Sequence, residues 1–73
     1  MDPRWQEAYR NAMVETDPKK LHDSINQAEA AILQRQKMLV PGEGDAAEEA
    51  IALRDALGAL KVVRREAPRH TPG

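Results

Sequence analysis

The stretch Val40-Pro41-Gly42-Glu43-Gly44 constrains this chain more than any other feature. A proline and two glycines so close together break a helix, and here they separate two patterned stretches of nearly equal length. Each stretch has about 21 or 22 residues, which as a helix spans about 32 Å. Equal rods joined by a short reversal pair antiparallel. The sequence therefore predicts an all-α fold, an antiparallel helical hairpin of two long helices with a shorter N-terminal helix.

Asp2 precedes Pro3 and Asp17 precedes Pro18. Each pair offers a capping carboxylate followed by proline at the first helical position, where the missing N–H costs nothing. The residue before a proline is also biased out of the α region, so the chain should turn at Thr16-Asp17. The reading is helices over about 3–16, 18–39 and 46–66, the third opening with Asp45 and Glu48 at capping-box spacing. Together they make one domain over 1–67, with 68–73 as a tail.

Apolar residues recur at helical spacing in all three stretches. Trp5, Tyr9, Ala12 and Met13 share a face of the first helix, and Leu21, Ile25, Ala28, Ile32 and Leu39 share one on the second, flanked by Leu33 and Val40. In the third, Ala46, Ala50, Leu53, Leu57 and Leu60 form a near-heptad seam expected to pack on the second helix. The first helix is expected across one end, with Trp5 and Tyr9 against the hairpin. Two further stripes remain on the third helix, Ala52-Ala56-Ala59-Val63 and Ile51-Gly58-Val62. The first helix can cover one of them but not both.

A chain of 73 residues hides only about 60% of the surface that its unfolded form exposes. It has no Phe and no Cys, so the core is thin and neither a disulfide nor a thiolate metal site can staple it. Self-association is a common remedy. The expected partner is a second copy, or else another helical protein. The candidate interface is Ile51, Leu53, Leu57, Gly58, Leu60 and Val62, its large residues carrying burial within or between chains, faced by Ile25 and Ile32. A dimer would be a bundle of four long helices with both N-terminal helices packed outside.

Net charge is −1 with 32% charged residues, so no global field draws nucleic acid or anionic lipid. Charge is nevertheless uneven. Antiparallel pairing sets Arg35 and Lys37 near the acidic start of the third helix, Glu43, Asp45, Glu48 and Glu49, and gathers Lys19, Lys20, Lys61, Arg64 and Arg65 as a basic patch at the other end. That patch supports a rival reading, a small nucleic-acid-associated regulator contacting phosphates. No aromatic residue is interleaved for base stacking. A helix-turn-helix built from the first two helices lacks its turn glycine, and its second helix soon becomes Asn26-Gln27-Ala28-Glu29. Nucleic acid is therefore the lesser expectation.

His22 and His70 stand far apart, and neither a Gly-rich phosphate loop nor a nucleophile motif is present. A thin hairpin also offers little concavity for a substrate. The expectation is a protein that is not an enzyme, with no cofactor, no metal and no small-molecule substrate. No apolar run reaches the roughly 20 residues of a membrane span, and Met1-Asp2-Pro3-Arg4 lacks the pattern of a secretion signal. A cytoplasmic location is expected.

The residues Trp5, Tyr9, Glu15, Asp17, Lys20-Leu21, Ile25, Ala28, Ala31-Ile32 and Arg35, followed after the loop by Ala56-Leu57, Leu60 and Arg64-Arg65, resemble those of a family of short bacterial all-helical proteins of unknown function. The resemblance implies a bacterial cytoplasmic helical protein and transfers no active-site residue.

Overall fold

The computed structural model of the protein describes residues 2–66, so the tail assigned to 68–73 lies outside the described residues. Three helices make up the fold: α1 over Pro3–Val14, α2 over Pro18–Met38 and α3 over Ala46–Glu66. Among the described residues there is no strand.

Both aspartate caps form as expected. Asp2 Oδ1 accepts from the Arg4 N–H at 2.9 Å, and Asp17 Oδ1 from the Lys19 N–H at 3.0 Å, each satisfying a donor that the first helical turn cannot pair internally. α1 stops at Val14, two residues short of the expected end. Glu15 is extended there, and its Oε1 accepts from the N–H groups of Thr16 and Asp17, both at 3.1 Å. This local side-chain bonding competes with further helix.

The reversal between α2 and α3 is two successive turns. The Glu43 N–H donates to the Val40 carbonyl at 3.2 Å, and the Ala46 N–H to the Glu43 carbonyl at 2.9 Å. In the first turn Pro41 and Gly42 are the central residues, and Gly42 has φ +88°, the pairing a type II turn requires. Gly44, with φ +52°, serves the second turn.

α1 lies along the hairpin rather than across its end. It joins α2 through Glu15–Asp17 alone, while Asp2 at its start bonds to Glu49 near the start of α3. α1 therefore runs back antiparallel to α2, and the molecule is an up-down-up three-helix bundle. The core joins Trp5 and Ala12 of α1, Leu21, Ile25, Ala28 and Ile32 of α2, and Leu53, Ala56 and Leu60 of α3. Each helix thus contributes one alanine to this cluster, Ala12, Ala28 and Ala56. Met13 falls at the edge of the core and is exposed, whereas Ala8 packs against it.

The α3 seam differs from the expected one. Its buried positions are Ala46, Glu49, Leu53, Ala56 and Leu60, a strict alternation of three- and four-residue steps. Ala50 is exposed, and Leu57 only packs against the margin of the core. Both seams share Ala46, Leu53 and Leu60. Apolarity alone favours Ala50 and Leu57 for the remaining positions, but α1 packs on the other flank of α3, and there Glu49 and Ala56 take the interior.

Candidate interaction surface

The most elaborate polar structure in the molecule is built on Glu49, which is 1% exposed. Its Oε2 accepts from the Asp2 N–H at 3.1 Å, from Trp5 Nε1 at 3.1 Å and from Arg35 Nε at 2.8 Å, while Oε1 accepts from Arg35 Nη2 at 3.0 Å. One carboxylate thereby ties the start of α1, the end of α2 and the start of α3. The Arg35 hydrogen bonds hold the Glu49 carboxyl down to about 2, helped by the Asp2 and Trp5 donors and opposed by burial. The bond to Glu49 in turn raises the Arg35 guanidinium above its ordinary value.

The expected approach of Arg35 to the acidic start of α3 is met at Glu49, which the structure buries. Its sequence signals were the strict seam spacing and Arg35, which antiparallel pairing was already expected to bring to this end. Every buried side-chain nitrogen and oxygen among the described residues has a partner, so the node leaves no polar atom aimed at a ligand.

The candidate interface divides into an inner and an outer set. Leu53 and Leu60 are fully buried within the chain, facing Ile25 and Ile32 in the same core cluster. Of the two roles expected of them, they serve burial within the chain rather than between chains. Leu57 is partly buried. Ile51 at 55%, Val62 at 47% and Gly58 are exposed, on the side of α3 opposite the buried seam. α1 covers the Ala52-Ala56-Ala59-Val63 stripe, burying Ala56 and part of the others, and leaves the Ile51-Gly58-Val62 stripe open.

The basic patch loses one member. Arg64 Nη2 donates to Asn26 Oδ1 and to Glu29 Oε1, so its charge is met within the chain. Lys19, Lys20, Lys61 and Arg65 are exposed. Lys19 and Lys20 belong to the start of α2, and Lys61 and Arg65 to the end of α3, the same end of the antiparallel hairpin.

Between α1 and α3 runs an open trough of about 780 Å³, with Ala52, Ala56 and Ala59 on one side, Tyr9 and Met13 on the other, and Arg10 and Asp55 among its lining residues. It holds no convergent set of nucleophile, base and oxyanion donors. Among the described residues no group of three or more His, Asp or Glu side chains could hold a metal ion, and no helix is long and apolar enough to cross a membrane. Comparison with protein-family models, curated proteins and solved structures finds no match in any of the three, which leaves the surface to be read from its own residues.

Proposed function

We propose that this chain is a non-catalytic, cytoplasmic helical interaction module that self-associates or docks another helical protein through the outer face of α3. The carrying observation is that Ile51 and Val62 remain about half exposed after the chain has packed α1 on α3. Burying a large aliphatic side chain contributes about 1.5–3 kcal/mol, so two of them on one face supply a driving force for association. A mid-helix glycine between them allows a second helix to approach closely.

Sedimentation velocity across micromolar concentrations tests the self-association form. The native chain should move toward a dimer with increasing concentration, and Ile51→Glu with Val62→Glu should hold it at monomer mass without unfolding it. A pull-down with the same pair tests docking of another protein. If the double variant matches the native chain in both assays, the outer face of α3 is not the docking surface.

A further inference from the structure

A second face, away from both α1 and the outer stripe, carries a different chemistry. We infer that the groove between α2 and α3 on the side opposite α1 binds an acidic amphipathic helix of a partner protein.

Arg64 of α3 meets Asn26 and Glu29 of α2 on this side of the hairpin. Leu33 is two helical turns beyond Asn26 on α2, and Leu57 is two turns before Arg64 on α3. Because the helices are antiparallel, both steps lead toward the α2–α3 loop, so Leu33 and Leu57 lie on this same side of the hairpin. Leu33 is 47% exposed and Leu57 partly so. Ala50, exposed and two turns before Leu57, continues the apolar line toward the loop.

The charges flanking this line have one sign. Lys37 stands one turn beyond Leu33, while Arg54 and Lys61 stand one turn either side of Leu57, and all three are exposed. The acid on this face, Glu29, is held by Arg64. At 100° per residue, Glu48, Asp55 and Glu66 of α3 fall on the side opposite Leu57, and Asp55 there lines the α1 trough. α3 is thus acidic on one flank and basic on the other. An apolar line rimmed by cations is complementary to a helix with leucines along one face and carboxylates beside them. A nucleic acid would use the cations but gain nothing from Leu33 and Leu57.

Fluorescence anisotropy with labelled probe peptides tests this. The first probe is a designed amphipathic helix with a leucine seam flanked by glutamates, the second has the same seam flanked by lysines, and the third is a single-stranded oligonucleotide. The native chain should bind the glutamate peptide at least about tenfold more tightly than the lysine peptide, with affinity falling as salt rises. Lys37→Glu with Arg54→Glu should invert that preference, and Leu33→Ala should weaken the glutamate peptide. Ile51→Glu should leave binding unchanged, which separates this groove from the outer face of α3. Equal binding of the two peptides, binding of neither, or binding of the oligonucleotide alone would overturn the inference. So would a self-association abolished by Lys37→Glu with Arg54→Glu, since the occupant would then be a second copy.

Discussion

Arg35 and Glu49 face each other across the α2–α3 hairpin through two hydrogen bonds, Nε to Oε2 at 2.8 Å and Nη2 to Oε1 at 3.0 Å. Glu49 is inside and Arg35 reaches the surface, with 27% of its side chain exposed. Removing Glu49's charge leaves the Arg35 guanidinium without its counter-ion, a loss that a chain with little stability in reserve will register. Glu49→Gln is expected to lower the urea midpoint sharply. A double-mutant cycle with Arg35→Met isolates the pair energy, and additive single effects would show that the contact does not hold the hairpin together.

The same carboxylate makes the fold acid-sensitive in a defined window. Its value in the folded chain, about 2, lies below the ordinary 4.5. The folded state therefore favours the ionised form, and this contribution is fully present above about pH 4.5 and lost as pH falls through about 2. Urea midpoints measured between pH 6 and pH 2 should fall more steeply for the native chain than for Glu49→Gln.

Trp5 donates its ring N–H to Glu49 at 3.1 Å. Trp5→Phe keeps an aromatic ring and removes that donor, which to a charged acceptor is worth about 1.5–3 kcal/mol. Loss of stability in this range, read by far-ultraviolet circular dichroism during urea titration, is expected. No change would mean that the ring packs without using its nitrogen.

Glycine-to-alanine changes should have opposite signs at two positions. Gly42 has φ +88°, where an L side chain is strained by about 1–2 kcal/mol, so Gly42→Ala is destabilising. Gly58 lies within α3, and a Cβ there would meet nothing within 4 Å. Gly58→Ala should stabilise the isolated chain by about 0.5–1 kcal/mol, while weakening any helix that docks closely on the outer face. Thermal unfolding of dilute protein reads the first effect and sedimentation velocity the second.

Much of this architecture is legible in the residues. Aspartate–proline pairs mark two helix starts, Pro41-Gly42 dictates a turn, and Leu21, Ile25, Ala28 and Ile32 form a single stripe with no competitor on α2. On α3 the pattern is degenerate, because Ala46, Leu53 and Leu60 belong equally to a seam through Ala50 and Leu57 and to one through Glu49 and Ala56. Local apolarity chooses the first. The second prevails because Arg35, Trp5 and the Asp2 N–H, from two other helices and a cap, converge to satisfy a buried carboxylate. The outer stripe of Ile51, Gly58 and Val62 is separated from Leu53 and Leu60 by spacing alone, but that it rather than Ala52-Ala56-Ala59-Val63 stays open depends on which flank α1 covers.

The account rests on α3 turning a charged residue inward and large apolar ones outward, and a pair of opposed substitutions tests that directly. In urea unfolding of dilute protein, Glu49→Leu should lower the midpoint strongly, since it strips Arg35, Trp5 and the Asp2 N–H of their acceptor. Ile51→Glu should stay within about 0.5 kcal/mol of the native chain, as exposed substitutions do. The reverse ordering, with leucine tolerated at 49 and glutamate disruptive at 51, would contradict the placement of α3 and both surfaces drawn from it.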